Sequence, residues 1–80
     1  MEVRILGTGC PKCKRLEQVT REALAEMEID ASVSKVTELD EIMEYDIAAT
    51  PGLVINQKVV SSGRLPSKAE VKTLISEALS

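Results

Sequence analysis

Two hydrophobic periods alternate along the first half of this chain, one typical of strands and one typical of a helix. Polar and apolar side chains alternate over residues 2–6, which predicts a β-strand. Over about 11–28 the apolar residues recur at helical spacing, which predicts an amphipathic helix. Alternation returns over 29–36 and predicts a second strand.

The second half is predicted to form a short helix and a β-hairpin. Thr37 is predicted to cap a helix whose buried side carries Leu39, Ile42 and Met43. After a break at 50–52, the apolar run 53–55 is typical of a strand buried on both faces. The tight turn 56–57 leads into a strand over 58–61, so these two strands should pair as a hairpin.

The last helix is predicted to begin at Ser67, which forms a capping box with Glu70. Its inner stripe consists of Val71, Leu74, Ile75, Ala78 and Leu79. The element order is therefore β-α-β-α-β-β-α, and a right-handed first crossover makes the first two strands parallel. We expect a single α/β domain over residues 1–80, with a four-stranded mixed sheet flanked by helices on both faces.

Composition narrows the class of protein only a little. Tyr45 is the sole aromatic residue, so the core must be aliphatic. A net charge of −3 and the near absence of aromatic residues argue against a nucleic-acid-binding surface. Because we find no signal-peptide pattern and no apolar stretch of membrane-spanning length, we expect a cytoplasmic protein with no membrane partner.

Both cysteines of the chain lie in one short motif, Cys10-Pro11-Lys12-Cys13, directly after the first predicted strand. A disulfide between them would close a very short loop, and stabilisation by a crosslink grows with loop length. A structural staple is therefore excluded, which leaves reversible redox chemistry or soft-metal binding. In the cytoplasm, catalytic disulfides are expected and structural ones are rare.

The surroundings of the motif favour a reactive thiolate. Pro11 suits the first helical position, so Cys10 should lie at the N-terminal edge of the helix, where unpaired N–H groups favour an anion. Lys12, Lys14 and Arg15 add positive charge nearby, and both effects promote the thiolate that attacks disulfides. A solvated helix face without a role explains these three cations equally well.

Soft-metal binding is the alternative use of the thiols, and copper(I) is the ion that thiolates suit. A mononuclear zinc site requires four ligands, whereas this chain has two cysteines and no histidine. The Gly-x-x-Cys-x-x-Cys spacing is similar to that of small heavy-metal-associated domains, but those run β-α-β-β-α-β, unlike the order predicted here. A third class, an adaptor module with incidental thiols, predicts no exchange activity.

Three segments make the chain resemble the thioredoxin fold, and most closely the small thioredoxin-like or glutaredoxin-like redox-active disulfide proteins of archaea and bacteria. They are GTGCPKC (7–13), TPGLVI (50–55) and SGR (62–64). The resemblance implies a thiol–disulfide oxidoreductase. From the position of Cys10 at the helix edge, we expect Cys10 to attack a substrate disulfide and Cys13, the more buried of the two, to resolve the mixed disulfide. The resemblance also implies a monomer without cofactor or metal, a disulfide-containing protein or small-thiol substrate, and a reductase or thiol electron donor.

The resemblance carries further expectations for the site. It implies that Pro51 is cis, that its loop packs against the cysteines, and that the Thr50 backbone pairs with a substrate peptide. Pro11 inside the motif resembles the glutaredoxin pattern more than the thioredoxin one. Three features depart from the family. Gly9 stands where many thioredoxins carry Trp, and Arg4 lies in the strand where many carry a buried acid that accepts a proton from the second thiol. The segment SGRL (62–65) has one glycine and no acid, whereas glutaredoxins bind glutathione partly through a Gly-Gly-x-Asp segment after the hairpin.

Overall fold

The computed structural model describes residues 1–80 and contains the predicted elements in the predicted order. They are β1 (Glu2–Leu6), α1 (Pro11–Glu26), β2 (Ser32–Val36), α2 (Leu39–Met43), β3 (Gly52–Ile55), β4 (Lys58–Ser62) and α3 (Lys68–Leu79). The strands form one sheet in the order β2-β1-β3-β4, with β1 and β2 parallel and the other pairs antiparallel. The predicted α/β architecture with a four-stranded mixed sheet is confirmed.

Helices cover both faces of the sheet, as predicted. Helices α1 and α3 pack on one face over an aliphatic core made of Val3, Ile5, Leu53 and Ile55 from the sheet and Leu16, Ala23, Val71 and Ile75 from the helices. Helix α2 lies on the other face, where Ile42 clusters with Leu6 and Val54. Because β3 is central and covered on both faces, all its residues are buried, which confirms the prediction from its apolar run.

Helix α2 differs from its prediction in both its cap and its buried side. Its N-cap residue is Glu38 rather than Thr37, and no side chain caps it. Ile42 is buried, but Leu39 and Met43 are 63% and 66% exposed. A helix of five residues makes little more than one turn, so it directs only one of these three side chains at the sheet.

The junction between α1 and β2 also lies elsewhere than predicted, since β2 begins at Ser32 rather than residue 29. The Ile29 N–H donates to the Leu24 carbonyl at 3.0 Å, and Glu28 takes a left-handed conformation with φ of 56°. This hydrogen-bonding pattern closes a helix C-terminus. Ile29 and Ala31 still pack against the core, which explains why their alternation resembled a strand.

The hairpin turn and the start of α3 agree with their predictions. Asn56 and Gln57 have φ of 51° and 70°, the two positive values that a tight two-residue hairpin turn requires. The Ser67 hydroxyl accepts the Glu70 N–H at 3.2 Å, which confirms the cap of α3. Leu79, predicted to be on the inner stripe, is 57% exposed because it is the last residue of the helix.

A cluster of ion pairs joins α1 to α3. Lys68 and Lys72 donate to the Glu26 carboxylate at 2.5 and 2.6 Å. These two hydrogen bonds lower the pKa of Glu26 from 4.5 to about 2. A carboxyl group whose pKa is lower in the folded state stabilises the fold above its unfolded-state pKa and loses that contribution as the pH falls.

We therefore expect Glu26 to contribute to acid sensitivity between about pH 4.5 and about pH 2. Thermal melts at about pH 5 and about pH 2 should show a smaller loss of Tm in Glu26→Gln than in the wild type, because glutamine does not titrate. Glu44→Gln is the control, since the Glu44 carboxylate has no ion-pair partner. Equal losses in the wild type and Glu26→Gln would contradict this role.

Candidate functional site

Cys10 and Cys13 form a disulfide at the N-terminus of α1. Cys10 is the N-cap residue and Pro11 opens the helix, as predicted. The two Cα atoms are 5.0 Å apart, and the Cys13 N–H donates to Cys10 Sγ at 3.1 Å. The Cys10 sulfur thus accepts a hydrogen bond from one of the unpaired N–H groups of the first turn. In most helices a side-chain oxygen of the N-cap residue accepts this hydrogen bond. A Cys10 thiolate would accept this N–H more strongly, because charged acceptors form stronger hydrogen bonds.

The two cysteines differ in exposure. Cys13 is 5% exposed and belongs to the buried side of α1. Cys10 is only half-buried, and its neighbours Gly9 and Pro11 are exposed. A reagent arriving from solvent therefore meets Cys10 before Cys13.

Gly7 approaches Cys13 more closely than any side chain would allow. An ideal Cβ at Gly7 would lie 2.3 Å from Cys13 Sγ and 2.8 Å from Cys13 Cβ, and real Cβ atoms essentially never come within 3.0 Å of another heavy atom. The Gly7 N–H also donates to the Val36 carbonyl at 3.0 Å, which holds this residue beside β2. Sequence reasoning placed Gly7 in a turn and in a matching family segment, but did not identify this contact.

Positive charge surrounds the start of α1 without neutralising partners. Lys12, Lys14 and Arg15 are all exposed, and none of them has a carboxylate within ion-pair distance. The first turn of the helix contains no acidic residue. The start of α1 therefore carries three cationic side chains that no carboxylate neutralises.

The Thr50–Pro51 peptide bond is cis, which confirms the conformation that the family resemblance implied for Pro51. Gly52 pairs with Leu6, so the residues just before β3 lie at the same end of the sheet as the turn that follows β1 and leads to Cys10. Pro51 is buried, whereas Thr50 is exposed and its backbone forms no hydrogen bond with another backbone group of the chain. The Thr50 backbone is therefore free to pair with an incoming peptide.

A small cavity of about 70 Å³ lies against the buried thiol. Its lining includes Ile5 of β1, Gly7, Cys13 and Glu17 of α1, and Lys35 of β2. The Glu17 side chain is 20% exposed. The helical pattern places Glu17 on the polar side of α1, so sequence reasoning did not connect it with the cysteines.

No group of three or more His, Cys, Asp or Glu side chains is placed to hold a metal ion. None of the helices combines the length and apolar character needed to cross a bilayer.

The sequence is similar to those of known proteins over nearly the whole chain. A family model described as a thioredoxin domain matches residues 1–76. A thioredoxin of Methanothermobacter thermautotrophicus is 42% identical over 76 residues, which cover 95% of this chain and 99% of that protein. A thioredoxin of Methanocaldococcus jannaschii is 41% identical over 70 residues, which cover 88% of this chain and 80% of that protein.

Solved structures show the same fold at lower sequence identity. Thioredoxin 1 of the thermophilic eubacterium Thermosipho africanus superposes with a TM-score of 0.62 at 21% identity and covers 99% of this chain and 94% of its own. The oxidised thioredoxin of Plasmodium falciparum gives a TM-score of 0.63 at 19% identity, with 99% and 81% covered. The fold, the disulfide at Cys-x-x-Cys spacing and the family match agree, and the chain belongs to the thioredoxin family of thiol–disulfide oxidoreductases.

Proposed function

We propose that Cys10 is the attacking thiol of this oxidoreductase and that Cys13 is the resolving thiol. The difference in exposure between the two cysteines carries the proposal, because only the half-buried Cys10 is open to a substrate. The Cys10 thiolate attacks one sulfur of a substrate disulfide, and the other substrate sulfur leaves as a thiolate. Cys13 then attacks the Cys10 sulfur, which releases the second substrate thiol and leaves the Cys10–Cys13 disulfide. Two electrons pass from the protein to the substrate.

The surrounding residues support the first attack. Pro11 begins the helix directly after Cys10, so the Cys10 sulfur lies at the free N–H groups of the first turn, and Lys12 adds a positive charge without an ion-pair partner in that turn. Both favour the anionic form of the attacking sulfur. The exposed Thr50 backbone beside buried Pro51 would hydrogen-bond an extended substrate segment and hold its disulfide over Cys10.

Disulfide substrates and a reductase partner follow from membership of the thioredoxin family. We propose that the substrate is a disulfide-containing protein or a small disulfide that reaches Cys10 across the exposed start of α1. Each turnover leaves the protein oxidised, so a reductase or a thiol donor must return two electrons to the Cys10–Cys13 disulfide. No bound cofactor takes part in this exchange, since both half-reactions are thiolate attacks on sulfur.

A redox titration of the metal-free protein tests the proposal. The protein is equilibrated in thiol–disulfide buffers, its free thiols are trapped by alkylation, and the alkyl groups are counted by mass. We expect both thiols to titrate together between about −180 and −280 mV, the range that spans protein disulfide isomerase, glutaredoxins and thioredoxin. Thiols that never pair under oxidising buffer would contradict the proposal, and thiols that react only after addition of a chelator would favour a copper(I) carrier.

A further inference from the structure

The resolving step needs an acceptor for the proton of the Cys13 thiol. A thiolate is the attacking species in disulfide exchange, so Cys13 must lose its proton before it attacks the Cys10 sulfur. Cys13 is 5% exposed, which limits direct proton transfer to bulk water. The acceptor must therefore lie in the immediate surroundings of Cys13.

The cavity beside Cys13 contains one carboxylate. Among the residues that line it, Glu17 is the only acid. Glu17 follows Cys13 by four residues on α1, a spacing that places the two Cβ atoms about 5–6 Å apart on one helix face. The cavity volume of about 70 Å³ exceeds the roughly 10–15 Å³ that one water needs, so the cavity that both residues line has room for a water. An ionised carboxylate offers only acceptor positions, as this step requires.

The charges around Glu17 come from two elements. On α1, Arg21 contacts the Glu17 carboxylate at 3.0 Å and Lys14 lines the cavity; on β2, the Lys35 ammonium lies 3.7 Å from it. Strand β1 contributes no charge here, because Ile5 faces the cavity whereas Arg4 binds Glu2 and the Tyr45 hydroxyl instead.

We propose that Glu17 accepts the proton of the Cys13 thiol during resolution, directly or through one water in the cavity. The proton passes from Cys13 Sγ to the Glu17 carboxylate, and the Cys13 thiolate forms a bond to the Cys10 sulfur. The bond between Cys10 and the substrate sulfur breaks, and the substrate leaves as a thiolate that takes up a proton from solvent. Glu17 then returns its proton to solvent. This inference rests on the proposed function, since it concerns the second of its two steps.

A purely structural role for Glu17 is the competing explanation. Its ion pairs with Arg21 and Lys35 join α1 to β2, and their loss alone could disturb the site. Arg21→Gln separates the two explanations, because it removes the shorter ion pair and keeps the carboxylate. Glu22→Gln is a charge-matched control on the same helix, since Glu22 lies outside the cavity and bonds Gln18 and Lys68.

Stopped-flow reaction of the reduced protein with dithiobis(nitrobenzoate) tests the proposal. Attack by Cys10 releases the first coloured thiolate, and resolution by Cys13 releases the second, so the two steps appear as two phases. In Glu17→Gln we expect the first phase to be unchanged and the second to be at least about 10-fold slower near pH 6. The difference should close toward about pH 9, where thiols ionise in water without help. Arg21→Gln, Glu22→Gln and the carboxylate-retaining Glu17→Asp should keep a second phase faster than that of Glu17→Gln.

Two results would overturn the proton-acceptor role. One is a second phase in Glu17→Gln that matches the wild type near pH 6. The other is an Arg21→Gln variant that slows this phase as much as Glu17→Gln does, which would assign the effect to the ion pair. A wild-type protein that shows no first phase would instead overturn the proposed function itself and this inference with it.

Discussion

A Cys13→Ser variant is expected to stop after the first exchange and to hold its substrate on Cys10 as a mixed disulfide. Serine is nearly the same size as cysteine, so the buried side of α1 should remain packed. Its hydroxyl cannot attack the Cys10 sulfur under conditions in which a thiolate does. Turnover should fall by about two orders of magnitude or more, because the two thiols act as one unit.

The adduct is measured by intact mass after reaction of Cys13→Ser with a disulfide-containing peptide. We expect close to one peptide per chain, and release of the peptide on addition of a strong dithiol. Cys10→Ser is the matched control and should form little adduct, because its remaining thiol, Cys13, is buried. A Cys13→Ser variant that turns over disulfides at the wild-type rate would refute the division of roles between the two cysteines.

The parts of this protein that could be predicted from sequence are those set by local rules. The element order follows from the hydrophobic period, and the spacing of Cys10 and Cys13 indicated either reversible redox chemistry or soft-metal binding. Ser67 could be recognised as a helix cap because a hydroxyl three residues before Glu70 satisfies a free N–H in any context. The continuous apolar run of β3 similarly indicated burial on both faces.

The parts that could not be predicted depend on how elements pack against one another. Leu39 and Met43 have the spacing of a buried stripe, but the length of α2 and the position of the sheet decide that only Ile42 is covered. Gly7 meets Cys13 only once β1 and α1 have been brought together, and the cavity that Cys13 shares with Glu17 also needs side chains of β1 and β2. A glycine in a turn and a glutamate on a polar helix face are common features, so neither signals such a contact by itself.

Gly7→Ala is expected to destabilise the oxidised protein more than the reduced one. The new methyl carbon would lie 2.3 Å from Cys13 Sγ, which cannot rotate away while it is bonded to Cys10. In the reduced protein Sγ is free to take another rotamer, although the contact at 2.8 Å with Cys13 Cβ persists in both forms. Overpacking of a close-packed site typically destabilises by about 1–3 kcal/mol. The oxidised form should therefore lose on the order of 5–20 °C in Tm.

The same difference should change the redox equilibrium, since any loss of stability confined to the disulfide form favours the dithiol. If about 1–3 kcal/mol falls on the oxidised form alone, the potential of Gly7→Ala becomes more positive by about 20–60 mV. Melting both redox forms and titrating each variant against a reference couple measures the two effects independently.

Gly9→Ala is the matched control. Its Cβ would meet no atom within 4 Å, so its destabilisation comes from a backbone φ of 94°. That destabilisation should be equal in the two forms and leave the potential unchanged. If Gly7→Ala lowers the Tm of the oxidised and the reduced protein equally, the close approach of Gly7 to Cys13 stabilises the fold but does not affect the redox potential.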